Sequence, residues 1–253
     1  MTPSTASQRQ SARNNLLDAL QPADRALLAP HLEKVMLSKG DVLFAPGDEV
    51  TIVHFPCNAT IASLLIAMSP GDMVETASIG REGAVGGIVS QGALPAYTQA
   101  VVQIGGPTYR MALASLQEAK ARSLTLRNLF ARYADCLLSQ VLQSVACNAL
   151  HPIDQRCARW LLSMRDRIGA NNLPLTQETL AQMLGIQRTY LSKVFGRFKC
   201  EGLVKTTRGR VELIDIDRLE GASCECYGQV KHHFERVLKG VYPEDDLSFS
   251  DTA

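Results

Sequence analysis

Residues 188–193 carry two cations and two hydroxyls at helical spacing. Arg188 and Ser192 lie four positions apart, as do Thr189 and Lys193, so a helix would place all four side chains on one exposed strip. Arginine and lysine donate hydrogen bonds to O6 and N7 of guanine, while threonine and serine reach base edges or phosphates. The strip therefore predicts a surface that reads double-stranded DNA.

Two short helices are predicted to position this strip. Thr176 is a suitable N-cap for the first helix, Gly185 permits a sharp turn after it, and the second helix begins at about Gln187. The face opposite the strip is apolar and consists of Leu191, Val194, Phe195 and Phe198. Two helices joined by a glycine-containing turn form a helix-turn-helix, whose second helix lies in the DNA major groove.

A basic hairpin is predicted to follow. The segment "GLVKTTRGRVELIDI" alternates as two strands around Arg208-Gly209-Arg210, which is typical of the wing in a winged helix-turn-helix. Residues 171–210 carry seven cations and two anions, a net charge of +5, although the whole 253-residue chain has a net charge of only +1. Such a concentration of positive charge is the footprint of a nucleic-acid-binding module. We predict contacts to the DNA backbone from Thr176, Gln187, Arg197, Arg208 and Arg210.

Residues 15–110 have the pattern of an antiparallel β-roll. Two short helices come first, and β-rich runs follow, separated by the turn signals Lys39-Gly40-Asp41, Pro46-Gly47-Asp48 and Pro70-Gly71-Asp72. The intervals are too short for the crossover helices of a parallel sheet. The predicted fold class is therefore α+β, with a cupin-like antiparallel barrel or roll in this region. The polar residues 1–14 are predicted to form a disordered arm.

Residues 111–150 contain no glycine or proline and are predicted to form one long helix. Its apolar face is broader than a surface helix normally buries, because two adjacent seams repeat at spacings of three, four or seven. Pairing with a second copy would cover the extra stripe, whereas the alternative is a helix packed wholly on its own roll. We predict a dimerisation helix whose apolar face includes Leu116, Leu126, Phe130, Tyr133, Leu137, Leu138 and Val141.

The segment His151-Pro152-Ile153-Asp154 is predicted to be the hinge between two domains, with Asp154 as the N-cap of the following helix. Residues 151–220 would then form the DNA-binding domain, and residues 221–253 a helical tail.

At this point the chain resembles the Crp/Fnr-type bacterial transcription regulators. The stretch "LPLTQETLAQMLGIQRTYLSKVFGRFKCEGLVKTTRGRVELID" is similar to their DNA-binding domain, and "KGDVLFAPGD", "VHFPCNATIASLL" and "IGREGAVGG" are similar to their cyclic-nucleotide-binding-like sensor domain. The resemblance extends from about residue 15 to 220. It implies that Arg188, Thr189, Ser192 and Lys193 read bases. Thr189 departs from the glutamate that many members carry there, so the usual half-site is not implied.

The resemblance also bears on the effector. Members that bind cyclic nucleotides hold the phosphate with an arginine, but this chain has Tyr97 near that place, which argues against cyclic AMP. The remaining candidates for an effector pocket are Arg81, Glu82, Gly83 and Tyr97. The amides of residues 83–87 could hold an anion, although a glycine-rich turn that closes the roll is favoured.

The seven cysteines have no framework spacing and are interpreted as reduced thiols. Cys57 stands alone, unlike the clustered cysteines of iron–sulfur members, and His54 or Cys57 as a haem ligand is the alternative to a structural role. Cys224 and Cys226 with His232 and His233 form a zinc candidate, but Cys-x-Cys is not the usual spacing and adjacent histidines point apart on a helix. We therefore predict no metal and no cofactor.

These observations predict a homodimeric, sequence-specific regulator that binds a roughly palindromic DNA operator. RNA polymerase would be a further partner of an activator. No secretory signal or membrane-length apolar run is evident, so a cytoplasmic protein without a membrane partner is expected. The alternative is a small-molecule-binding β-roll protein whose C-terminal helices mediate assembly. Enzymatic activity is not expected, because no arrangement of catalytic residues is recognisable.

Overall fold

The computed structural model describes residues 12–68, 73–88 and 95–239. The helices are α1 (Asn15–Asp18), α2 (Pro22–Leu28), α3 (Leu113–Arg122), α4 (Leu124–Leu150), α5 (Ile153–Ile168), α6 (Gln177–Leu184), α7 (Arg188–Cys200), α8 (Ile216–Gly221) and α9 (Cys226–Val237). The strands are β1 (Glu33–Leu37), β2 (Val42–Phe44), β3 (Ile52–Pro56), β4 (Ile61–Ala67), β5 (Met73–Ile79), β6 (Gln99–Ile104), β7 (Gly106–Ala112), β8 (Asn172–Leu173), β9 (Val204–Thr207) and β10 (Arg210–Leu213). Within the described ranges, no helix combines the length and apolarity needed to cross a membrane.

The N-terminal strands form two antiparallel sheets, with strand orders β1-β7-β3 and β2-β6-β4-β5. Gly40 and Gly47 adopt left-handed φ angles of +93° and +90° at the predicted turns, where a side chain would be strained. Val53, Phe55, Ile61 and Ile79 are buried between the sheets and their helices. The predicted antiparallel roll and α+β fold class are thus confirmed. The predicted turn at residues 70–72 lies outside the described residues.

The predicted N-terminal arm does not extend to residue 14. Asn14 is buried, and its amide donates to the carbonyl oxygens of Pro56 (2.7 Å) and Gly83 (2.8 Å). Its Oδ1 also accepts from the Leu17 amide and so caps α1. A short polar side chain at this position therefore joins the first helix to the roll. Residues 1–11 lie outside the described residues.

The prediction of one helix over residues 111–150 is wrong. Strand β7 continues to Ala112, and Ser123 adopts an extended conformation between α3 and α4. The Ser123 hydroxyl accepts from the Leu126 amide and donates to Asp24 of α2, which also accepts from Thr125 (2.6 Å). These polar contacts stabilise a break in a sequence that lacks any helix-breaking residue.

Helix α5 begins two residues earlier than predicted, because an N-cap at Asp154 would make Gln155 the first helical residue. Pro152 occupies the N-cap position and Ile153 is the first helical residue, so the prediction of Asp154 as N-cap is wrong. Proline presets the backbone for a helix start, and Asp154 instead pairs with Arg197 of α7. The helix ends at Gly169, which has a φ of +72°.

Helix α5 also docks the C-terminal half on the roll. Arg167 and Glu82 form a buried ion pair at 2.9 Å, and the Trp160 indole donates to Glu75 at 2.9 Å. Helix α9 lies along α4, and Phe234 of this helix and Leu238, which follows it, are buried in the core that contains Leu16. The predicted helical tail is therefore helical and docked over the part that the structure describes.

Candidate nucleic-acid interface

Helices α6 and α7 form the helix-turn-helix. The Thr176 hydroxyl accepts from the Thr179 amide at 3.1 Å and caps α6 as predicted. Gly185 ends α6 with a φ of +65°, and the Ile186 amide bonds back to the Ala181 carbonyl at 3.0 Å. The left-handed glycine thus makes the tight turn that lets α7 leave α6 at an angle.

Helix α7 has the two faces that its sequence predicts. Its inner face is fully or almost fully buried and consists of Leu191, Val194, Phe195 and Phe198. The opposite strip, defined by Arg188, Thr189, Ser192 and Lys193, is exposed. The Ser192 hydroxyl is within hydrogen-bonding distance of the Arg188 carbonyl oxygen (3.0 Å) and the Gln177 Oε1 atom (3.2 Å). The structure therefore brings all four predicted base-reading residues together on one accessible surface.

Two further side chains lie beside this strip and were not predicted. Gln177 reaches the strip through Ser192, and Tyr190 is half-exposed in the first turn of α7. Tyr190 stands three positions before Lys193, so the two share one side of the helix. Gln187 is exposed at the N-cap position, and within the described structure it makes no capping hydrogen bond. The amides of this helix start can therefore face a phosphate.

The predicted wing is a hairpin of β9 and β10, extended by β8. Arg210 pairs with Thr207, so the turn consists of Arg208 and Gly209, and Gly209 has a φ of +74°. Arg208 and Arg210 are both exposed, as is Lys205 on the adjoining strand. The hairpin thus presents two exposed arginines at its tip, in the same C-terminal domain as the cationic strip of α7.

Arg197 is placed differently from the other predicted backbone contacts. Its guanidinium forms an ion pair with Asp154 in the first turn of α5, although its side chain stays more than half exposed. The pair links α7 to α5, because Asp154 and Arg197 belong to those two helices. Arg197 therefore has a contact within the protomer in addition to the DNA contact that its charge predicts.

The predicted dimer-helix residues divide into two sets. Leu116, Leu126, Phe130 and Tyr133 are buried inside the protomer, Leu137 and Val141 are partly buried, and Leu138 is exposed. The exposed side of α4 carries an apolar stripe at heptad-like spacing, which we call the α4 stripe: Leu124, Ala131, Leu138, Leu142, Val145 and Ala149. Leu124, Leu138, Leu142 and Val145 are 56–64% exposed, which is unusual for large apolar side chains at such regular intervals.

The four predicted effector-pocket residues do not converge. The Glu82 carboxylate accepts from the Gly80 amide and holds Arg167, while the Arg81 guanidinium donates to the Asp166 carbonyl of α5 at 3.1 Å. Gly83 lies against Tyr133 so closely that a Cβ would overlap the phenol oxygen. Tyr97, by contrast, is 82% exposed and lines a cavity that does not include Arg81, Glu82 or Gly83. Arg81, Glu82 and Gly83 therefore join the roll to its helices.

Tyr97 lies at a cavity of about 210 Å³ between the roll and the start of α3. The described residues that line the cavity include Phe44, Leu64, Ile79 and Leu137, and none of the described lining residues is charged. Leu137 belongs to α4, so the cavity contacts the same helix that carries the α4 stripe. Its chemistry suits an apolar group better than a phosphate.

His54 and Cys57 are both buried in the roll. Burial, together with the nearby Arg110 guanidinium, lowers the pKa of His54 to about 4, so its imidazole is neutral at pH 7. The Cys57 thiol lies 3.4 Å from the Phe55 carbonyl, and burial raises its pKa to about 11. Both side chains are therefore uncharged parts of the roll interior.

The C-terminal cysteines have different neighbours from those the sequence indicates. The ligand atoms of Cys147, His151, Cys224 and Cys226 all lie within 4.8 Å of one another. His233 instead contacts Asp135 at 2.8 Å, and His232 does not belong to the cluster. Cys147 and His151 end α4, more than seventy residues before Cys224, so sequence spacing gave no signal for this group.

Comparisons with known proteins agree with this geometry. Residues 155–222 match the family model of the Crp-like helix-turn-helix domain. FixK2 from Bradyrhizobium japonicum aligns with a TM-score of 0.67 and 14% identity over 76% of this chain and 98% of that one. A Crp/Fnr-family transcriptional regulator from Thermus thermophilus aligns with a TM-score of 0.62 and 18% identity over 76% and 98% of the two chains. The c-di-GMP-responsive global regulator CLP from Xanthomonas campestris aligns with a TM-score of 0.62 and 14% identity over 77% and 100%.

At these identities the structural likeness establishes the fold, and the family model establishes the type of the C-terminal domain. The fold resemblance expected from the sequence is thereby confirmed. No curated protein sequence matches the chain.

Proposed function

We propose that this chain, which carries a Crp-like helix-turn-helix domain within the fold of Crp/Fnr regulators, is a DNA-binding transcription regulator that acts as a homodimer. The observation that carries the proposal is the exposed cationic strip of α7, held by a buried apolar face and flanked by the basic wing. A helix of this kind fits the major groove, where its strip meets base edges.

Each part of the domain has a distinct role on DNA. Arg188 and Lys193 donate to guanine, while Thr189 and Ser192 contact base edges or phosphates next to them. Gln187 and the amides at the start of α7 face the backbone, as do Thr176, Arg208 and Arg210. Thr189 cannot accept through a carboxylate, so the preferred half-site differs from one that relies on a glutamate at this position.

The α4 stripe supports the homodimer. A continuous apolar surface on a 27-residue helix is best covered by the same helix of a second copy, since a two-fold pair makes the surface self-complementary. Such a pair carries two copies of α7, which requires an operator with two half-sites about one helical turn apart. Leu138 and Leu142 lie at the centre of the contact.

The apolar cavity beside Tyr97 is the proposed effector site. Its described lining offers no cation for a phosphate, which favours an uncharged apolar effector over cyclic AMP. An effector there would touch Leu113 at the start of α3 and Leu137 in the middle of α4, and could alter how α4 packs on the roll.

Selection from random DNA tests the DNA-binding proposal. The full chain is incubated with random duplexes, bound duplexes are amplified and sequenced, and affinity for the enriched sequence is measured between 50 and 200 mM salt, a range over which several phosphate contacts produce a fall of roughly 10³ or more. We expect enrichment of a near-palindromic site and a steep fall of affinity with salt. A chain that binds no DNA even at low salt would contradict the proposal and favour a small-molecule-binding roll with assembly helices.

A further inference from the structure

Three thiols and one imidazole meet where α4, α5 and the tail adjoin. Cys147 lies in the last turn of α4 and His151 immediately follows that helix, while Cys224 and Cys226 flank the start of α9. The three sulfurs are buried, and the His151 side chain is 18% exposed. Two segments that are remote in sequence therefore bring four soft or borderline ligands into one small, largely closed space.

Two of the separations between ligand atoms match those of a tetrahedral ion, and the remaining separations are no longer than 4.8 Å. The Cys147 and Cys224 sulfurs are 3.5 Å apart, and the Cys226 sulfur lies 3.5 Å from Nδ1 of His151. Ligands of tetrahedral Zn²⁺, with bonds of about 2.3 Å to sulfur and about 2.0 Å to nitrogen, are separated by about 3.5–3.8 Å. A disulfide would need sulfurs at about 2.05 Å, so the Cys147 and Cys224 thiols are separate here.

The surroundings also suit a metal. His151 directs Nδ1 toward the sulfurs and Nε2 toward the Glu225 carboxylate at 3.2 Å, the arrangement by which a carboxylate orients a ligating histidine. The Gln143 amide donates to the Cys226 sulfur at 3.0 Å. Two cations, Arg156 and Arg159, lie near Cys147, and their buried Nε atoms have no hydrogen-bond partner in the described part of the chain.

We propose that Cys147, His151, Cys224 and Cys226 bind one structural Zn²⁺ ion that fastens the tail helix to the junction of α4 and α5. Binding releases three thiol protons and leaves a Cys₃His complex with a net charge of −1, which the two arginines compensate. All four coordination positions are protein ligands, so the site is closed and structural. The ion would fix the hinge segment after α4 while α9 remains packed along α4.

Cobalt(II) titration of the full chain tests the site. Reduced, chelator-treated protein is titrated anaerobically with Co²⁺, and we expect about one equivalent to bind with the strong thiolate charge-transfer and d–d absorption of a tetrahedral site, and Zn²⁺ to displace it. Cys224→Ser and Cys226→Ser should each abolish or strongly weaken this signal. Cys200→Ser, which removes an exposed thiol outside the cluster, should leave it unchanged.

The Glu225→Gln variant tests whether the four side chains act together as metal ligands, because it keeps all four of them. We expect the same absorption spectrum with an affinity about 10- to 100-fold weaker, because Glu225 orients His151 from outside the coordination shell. Natively folded wild-type protein that takes up neither Co²⁺ nor Zn²⁺ would overturn the proposal. So would an unchanged signal in Cys224→Ser, or a Cys147–Cys224 disulfide in the purified chain that yields no metal binding after reduction.

Discussion

His54 shows how burial of a single side chain links stability to pH. It is almost fully buried, and in the described structure its Nδ1 atom has no hydrogen-bond partner, so the neutral form is strongly favoured. Its folded pKa of about 4 lies below the ordinary value of 6.5, which means that the unfolded chain takes up the proton first as pH falls. The stabilising contribution is therefore complete above pH 6.5 and is lost between about pH 6.5 and 4.

We predict that His54→Gln reduces this pH dependence. Chemical unfolding of the wild type and the variant should show a stability difference that changes by about 3 kcal/mol between pH 7.5 and pH 4, because a shift of one pKa unit corresponds to about 1.4 kcal/mol. The comparison cancels the titration of the ionisable groups that the wild type and the variant share. A difference that is the same at both pH values would contradict the assignment.

Glu82 provides a second prediction for a single residue. Glu82→Ala leaves the buried Arg167 guanidinium without its carboxylate, and breaking a buried pair typically costs about 3–5 kcal/mol. The matched control is Glu33→Ala, which breaks the exposed pair with Arg110 and should have a much smaller effect. Chemical unfolding curves measure both variants. Equal losses of unfolding free energy in the two variants would show that the buried Glu82–Arg167 pair stabilises the protein no more than the exposed pair does.

Sequence patterns predicted the placement of residues that is set by local spacing along the chain. The strip on α7 and the turn at Gly185 follow from helical periodicity and one glycine, so both could be predicted. The partners of Glu82 and of Cys224 could not, because Arg167 and Cys147 are brought there by packing over more than seventy residues. The position of Tyr97 apart from Arg81 likewise depends on how the roll closes.

At the scale of elements, helix α4 has two apolar faces with different roles. One is buried in the core of the protomer, and the other is the exposed α4 stripe. We predict that Leu138→Asp converts a dimer to a monomer, because it would bury an unpaired carboxylate in the proposed interface. Arg132→Asp adds the same carboxylate to the same helix outside the stripe and should leave the dimer intact. Sedimentation equilibrium distinguishes the two, and a Leu138→Asp dimer of wild-type stability would refute the interface.

The wing is the second element that carries a prediction. Arg208→Ala and Arg210→Ala should weaken binding to the selected operator and to unrelated duplexes by the same factor, since both side chains are proposed to contact phosphates. Each should also reduce the slope of log affinity against log salt by about 1. Lys39→Ala, which removes an exposed cation from a turn of the roll, is the control. A loss confined to the operator would instead indicate that the wing reads bases.

The sequence predicts the order of the helices and strands better than the residues at which they begin and end. Turn glycines and strand alternation indicated the roll, and cap residues indicated the helix-turn-helix. The break at Ser123 could not be predicted, because it depends on Asp24 from a helix about a hundred residues earlier. The start of α5 at Ile153 could not be predicted for a similar reason, since Asp154 forms an ion pair with Arg197 of α7 instead of capping α5.

At the scale of the whole molecule, the roll, α4 and the helix-turn-helix form one connected unit. Arg167 and Trp160 fasten α5 to the roll, and α9 returns along α4. A ligand in the roll cavity would contact Leu137 of α4, the helix at which two protomers are proposed to meet. The spacing of two α7 helices on DNA would depend on that contact.

The most direct test of the central claim is the affinity of α7 variants for the selected operator. Arg188→Ala and Lys193→Ala should each weaken operator binding by about 1–3 kcal/mol and reduce discrimination against unrelated duplexes, because both are proposed to read bases. Lys199→Ala, at the far end of the same helix, should retain that discrimination. If the Arg188→Ala/Lys193→Ala double variant keeps a sequence-specific footprint of wild-type strength, α7 does not read the operator.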